Sequence, residues 1–208
     1  NLFFIGFTIF LNPNFNEKRY IFNTFYLLII MRFSRQEITD LVKAWIAISI
    51  AFGIVLREGG FINSFILSGV TVGIGFLLHE LSHKFVAQKY GYWAEFRSFD
   101  QMLIFAILIS FLGFVFAAPG AVMFRSLTHN KEKVGKIGVA GPITNIILAL
   151  IFLFIPGLFG DYGFRINSWL ALFNMIPFGM FDGAKVIKWN KLLYFIIVGV
   201  AFVFTFFI

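Results

Sequence analysis

The stretch His79-Glu80-Leu81-Ser82-His83 holds two of the chain's three histidines, with an acid between them. Positions i and i+4 of a helix share one face, so His79 and His83 can hold a single metal ion between their rings. Glu80 stands beside the pair and can take a proton from a water that the metal activates. Two protein ligands are fewer than the three that a catalytic zinc ordinarily takes. The other acids are Glu17, Glu37, Asp40, Glu58, Glu95, Asp100, Glu132, Asp161 and Asp182. Of these, Asp182 alone directly adjoins a long apolar segment with an interrupted backbone, running from Asn174 through Pro177 and Gly179 to Gly183. Pro177 frees a carbonyl and the glycines loosen the chain, so unwinding there can aim Asp182 inward as a third ligand. Its plainer role is to cap the Lys-containing stretch that follows. His129 lies in the polar stretch 126–136 and reads as a solvated loop residue.

The elements that must position these groups are apolar. Of 208 residues, 60% are hydrophobic, 13% are charged and 32 are Phe. Ordinary soluble domains carry about 25% charged residues, and a soluble chain of this size has too little interior for so much apolar surface. The apolar runs are long and do not alternate with period two. The expected fold class is therefore an all-α polytopic membrane protein. A disordered chain and a soluble nucleic-acid binder are excluded, and the absence of cysteine excludes a disulfide scaffold and a thiolate metal site. The net charge of +7 fits basic cytoplasmic loops, with no nucleic-acid partner. In such a chain any acid or histidine deep in an apolar segment is a functional candidate, because charge in hydrocarbon is expensive.

Six apolar segments follow Met31: 42–56, 61–83, 102–123, 137–155, 166–181 and 192–208. Gly69 and Gly73 in the second are spaced for close helix packing. Residues 1–30 form two apolar runs too short to span a bilayer and are expected to be an N-terminal extension. The single membrane-embedded domain is expected over 31–208, with its core about 63–191. Counting Lys and Arg in the connections decides the treatment of 102–123. If that segment enters and returns, the connections carry three, one, seven, one and three basic residues in alternation, a consistent positive-inside pattern. A re-entrant or twice-crossing element is therefore expected, turning at Pro119-Gly120, with a short strand at Ala121–Phe124. This topology brings segments 61–83 and 166–181 to the cytoplasmic side with their C-terminal ends, so His79, Glu80, His83 and Asp182 fall at similar depth.

At these residues the sequence resembles the site-2 protease family of intramembrane zinc metalloproteases. The family's His-Glu-x-x-His helix is matched by His79, Glu80 and His83. Its later Asn-x-x-Pro-x-x-Pro-x-Asp-Gly stretch is matched by Asn174, Pro177, Asp182 and Gly183, with Met180 in place of the second Pro. Ala140-Gly141-Pro142-Ile143-Thr144-Asn145 looks like the family's Ala-Gly-Pro element, and the region 118–124 like its re-entrant β element. The resemblance implies that His79, His83 and Asp182 bind one Zn2+, that Glu80 is the catalytic base, and that Asn174 bonds the substrate backbone or the developing oxyanion. An inter-helix hydrogen bond is the other reading of Asn174. The implied activity is hydrolysis of a peptide bond in or near a transmembrane segment of a membrane protein substrate. The implied setting is a lipid bilayer, with the site towards the cytoplasm. The rival readings are an inactive scaffold or receptor of the same fold, a metal-ion transporter, and a zinc protease whose third ligand is a Glu such as Glu95.

Overall fold

A computed structural model describes residues 32–115, 119–125 and 130–208. The expected N-terminal extension, residues 1–30, and His129 lie outside the described residues, while the polar stretch read around His129 is helical from Lys131.

Helix α1 runs Arg35–Leu56. The Ser34 hydroxyl accepts the Glu37 N–H at 3.1 Å, which caps an otherwise orphaned donor, and Arg57, at φ 52°, ends the helix in the left-handed region. The helix thus begins seven residues before the apolar segment at 42. Glu37 and Asp40 are consequently buried in its first turns. Helix α2 spans Phe61–Lys89, with one widened π turn at Gly69–Gly73. The expectation for this glycine pair is met against α1. A Cβ on Gly73 would stand 2.7 Å from Trp45 Nε1, and that indole N–H donates to the Gly69 carbonyl at 3.0 Å.

Strands β1 (Trp93–Ser98) and β2 (Gly120–Arg125) pair antiparallel, with Trp93 opposite Arg125 and Ser98 opposite Gly120. The strand expected at Ala121–Phe124 is present, but its partner falls where only a connection was expected. The alternation was legible: Ala94 and Phe96 are buried while their neighbours are more open. Helix α3, Asp100–Ser110, lies between the strands in sequence. Eleven residues rise about 16 Å, well short of a hydrocarbon core of about 30 Å. Segment 102–123 therefore makes a short helix and a strand in place of a crossing helix.

Helices α4 (Lys131–Leu153), α5 (Leu158–Asn174), α6 (Asp182–Trp189) and α7 (Lys191–Phe207) complete the described chain. Among the described residues, three helices are long and apolar enough to cross a membrane: α1, α2 and α4. The six apolar segments thus resolve unequally. Segment 166–181 lies partly on α5, a 17-residue helix that also carries Asp161 and Arg165 and stops at Asn174. Segment 192–208 makes the 17-residue α7. Helix α4 is central and packs on α2, α5 and α6, whereas α1 packs on α2, α3 and β1. One buried cluster joins Leu41, Ile48, Val72, Phe76, Phe96 and Leu103, tying the sheet to α1, α2 and α3. A second joins Val139, Met175, Val186, Tyr194 and Ile197, tying the 175–181 loop to α4, α6 and α7.

Candidate metal centre

The last turns of α2 put His79 and His83 on one helix face, with ring centroids 4.6 Å apart. Both are buried against α4. His79 Nδ1 donates to Oδ1 of Asn145 at 2.6 Å, and His83 Nδ1 donates to the Ile137 carbonyl at 2.7 Å. The orientation of Asn145 is fixed by its other bonds, since its Nδ2 donates to the Gly75 carbonyl and to Asn167 Oδ1. Both imidazole protons therefore sit on Nδ1, and both Nε2 atoms present lone pairs. These lone pairs face each other at 3.0 Å.

Asp182 joins them from across the fold. Helix α5 stops at Asn174, the chain loops through Pro177 and Gly179 (φ 65°), and α6 begins at Asp182. Gly183 lets this loop close tightly, because a Cβ there would lie 2.2 Å from the Met175 carbonyl oxygen. Asp182 Oδ2 comes to 3.2 Å from His79 Nε2 and 2.9 Å from His83 Nε2. Lys185 Nζ donates to the other oxygen, Oδ1, at 2.8 Å. Burial alone would raise the Asp182 carboxyl. Only with protonated His83 and His79 rings beside it, together with the Lys185 ammonium, is the group held well below the usual carboxylate range; with both rings neutral, the Lys185 ammonium is the cation that opposes the effect of burial.

Three electron-pair donors thus converge in a buried place with their protons turned outward, an arrangement that calls for a cation. Ligands at about 2.05 Å from a tetrahedral zinc stand roughly 3.3 Å apart, close to the separations here. The donor set fits a metal of that kind: two imidazoles, one carboxylate and room for water. Gly141 of α4 provides the room. A Cβ there would lie 2.4 Å from His79 Nε2 and 2.5 Å from His83 Nε2.

Glu80 is buried beside this group, but on the neighbouring face of α2. Its Oε2 accepts the Val122 N–H at 3.0 Å, so β2 runs directly past it. Asn174 makes its hydrogen bond within its own helix in place of an inter-helix one. Its Nδ2 donates to the Leu170 carbonyl of its own helix at 2.9 Å. Asn145 is the asparagine that bonds a histidine of the cluster. In the sequence Asn145 belongs to the Ala-Gly-Pro element, and two further signals point to it. It is a polar residue within an apolar segment, and it shares a helix face with Ile137 and Gly141 at four-residue spacing. Lys84, counted from sequence as a loop charge, is fully buried on α2. A charge adjoining His83 is drawn inward with the helix face that carries it.

No protein-family model and no solved structure matches the chain. It is 43% identical over 178 residues to "Putative zinc metalloprotease MJ0611" of Methanocaldococcus jannaschii, covering 81% of this chain and 92% of that one. It is 28% identical over 145 residues to "Putative zinc metalloprotease YwhC" of Bacillus subtilis, covering 57% and 66%. It is 30% identical over 134 residues to "Zinc metalloprotease MJ0392" of M. jannaschii, covering 60% of this chain and 33% of that protein.

Proposed function

From the premise that the chain belongs to the zinc metalloprotease family of these relatives, we propose that it is an intramembrane endopeptidase of the site-2 protease type. Its substrate is a membrane protein, cut in or near a transmembrane segment. The observation that carries the reading is the convergence of His79, His83 and Asp182 beside Glu80 on a helix apolar enough to cross a bilayer.

His79, His83 and Asp182 hold the zinc, which supplies Lewis acidity for the scissile carbonyl and the attacking water. Asn145 and the Ile137 carbonyl keep both rings in the Nδ1–H tautomer and fix their orientation. Lys185 occupies one oxygen of Asp182 and leaves the other for the metal. Glu80 takes the proton of the attacking water and passes it to the leaving amine. The Val122 N–H holds Oε2 of Glu80 and so leaves Oε1 for that exchange. A helical substrate hides its carbonyls in i to i−4 bonds and must unwind before attack. The edge of β2 that faces away from β1 runs past Glu80, which takes its Val122 N–H, and the rest of that edge suits an extended segment that adds as a strand. Asn174 meets the substrate backbone after giving up its bond to the Leu170 carbonyl.

The depth of the site supports the setting. Helix α2 is 29 residues, about 43 Å, and His79 lies about 27 Å along it from Phe61. The group therefore falls near the membrane face opposite the α2 N-terminus. The basic residues of the adjoining connections favour the cytoplasm for that face.

The test is cleavage of a panel of single-span membrane proteins by the wild type and by Glu80→Gln, with zinc quantified in both. Wild-type cleavage, with Glu80→Gln silent and still holding one zinc per chain, is the expected result. Unchanged cleavage by Glu80→Gln, or a purified wild type without zinc, overturns the reading.

A further inference from the structure

Apart from the metal centre, the most deeply enclosed charges among the described residues are Lys84 and Glu37, both with no exposed surface. Lys84 Nζ pairs with Oε2 of Glu37 and lies 4.1 Å from the centroid of the Phe33 ring. The second oxygen of Glu37, Oε1, accepts the Phe96 N–H at 2.9 Å. Phe96 sits in β1 opposite Val122 in β2, and the Val122 N–H goes to Glu80. The Phe96–Val122 pair therefore sends both amides outward, as a non-hydrogen-bonded pair of an antiparallel ladder does. Each amide ends on a buried carboxylate.

Glu80 and Lys84 are one turn apart, so a single face of α2 grips both strands: β2 directly through Glu80, and β1 through Lys84 and Glu37. Stability alone does not account for the pair, since buried ion pairs are often replaceable by apolar residues without loss. A strand amide on Oε1 adds a geometric task.

We propose that Glu37 and Lys84 are positioning residues that set the β1–β2 sheet against α2, so that the Val122 N–H meets Glu80 and orients its carboxylate. The inference rests on the reading of Glu80 as the base. Oε1 of Glu37 fixes β1, and Lys84 fixes Glu37 by its other oxygen. The ladder passes that placement from Phe96 to Val122.

Two double variants separate this from a structural role. E37L/K84M removes both charges and the acceptor while filling the space. E37Q/K84M removes the charges but keeps an acceptor for Phe96. Zinc content, kcat and KM are measured on a membrane protein that the wild type cleaves. Amide hydrogen exchange is followed over residues 120–125. Both variants are expected to keep zinc. E37L/K84M is expected to lose at least about tenfold in kcat, with KM within twofold and faster exchange at Val122. E37Q/K84M is expected to fall between it and the wild type. Wild-type kcat and exchange in E37L/K84M overturn the proposal. So does equal kcat in the two variants, or a loss no larger than the loss of folded, zinc-loaded protein. Should E37L/K84M not fold, Glu37→Asp decides: it keeps the charge but shortens the reach to Phe96, and a wild-type kcat there overturns the proposal. Should the wild type cleave none of the panel, the protease reading fails, while exchange at Val122 still decides the clamp.

Discussion

Helix α2 carries two side-chain pairs at four-residue spacing, one residue out of step, and they handle charge in opposite ways. His79 and His83 turn their protons outward, to Asn145 and Ile137, and aim bare nitrogens at each other and at Asp182. Glu80 and Lys84 are equally buried, but their charges are met by groups of the protein: Val122 for Glu80, Glu37 for Lys84. Burial of charge is common to both faces, so it does not mark the metal site. Convergence of acceptors without donors does. The first face is completed by a cation from outside, and the second is complete within the fold.

This contrast is breakable in steps. His83→Ala should have the largest effect, since it leaves two ligands. Zinc measured after gel filtration should fall to a small fraction of one per chain, and cleavage should vanish with it. Retained stoichiometric zinc would break the comparison at its first face. Glu80→Gln comes next. It should keep its zinc and lose about 10²–10⁴-fold in kcat, the usual contribution of a positioned base. A matching loss of zinc would mean that Glu80 belongs with the ligands. Asn145→Ala removes the acceptor that sets the His79 tautomer and should cost about 10–100-fold in zinc affinity or activity. A competitive chelator titration reads this, and an unchanged affinity would show that packing alone orients the ring.

The smallest effect is expected away from α2. Asp100 takes a 2.8 Å bond from Lys43 in an exposed setting, and that ammonium holds its carboxyl below the usual range. Exposed pairs of this kind contribute little. Asp100→Asn should leave both the melting temperature and the cleavage rate unchanged, and a clear drop in either would give this pair a role like that of Glu37 and Lys84.

The parts of the site written in local spacing were legible. His79 and His83 share a face because four residues make about one turn, and the Asn174–Gly183 stretch breaks because Pro177 and the glycines cannot continue a helix. The strand at β2 was expected after Pro119-Gly120. Its partner β1 was missed because Trp93–Ser98 is short and lies in a stretch counted for charge alone. Lys84 was counted as a loop charge for the same reason. A charge count treats each basic residue as solvated, while a tertiary partner 47 positions away makes burial possible. Asn145 was quoted within a motif but not given its task, which depends on which ring it faces.

The sequence by itself determined an apolar helical chain, the histidine pair, the acid beside it and the break that precedes Asp182, because composition and periodicity act within a few residues. Only the tertiary structure decided that Asp182 reaches the two histidines, that Gly141 leaves space against them, and that α2 holds a sheet on its other face. Those outcomes depend on how α4 lies between α2 and α6, and on which donors meet which acceptors across the packed helices. Such pairings arise between residues far apart in the chain, and local propensity does not encode them.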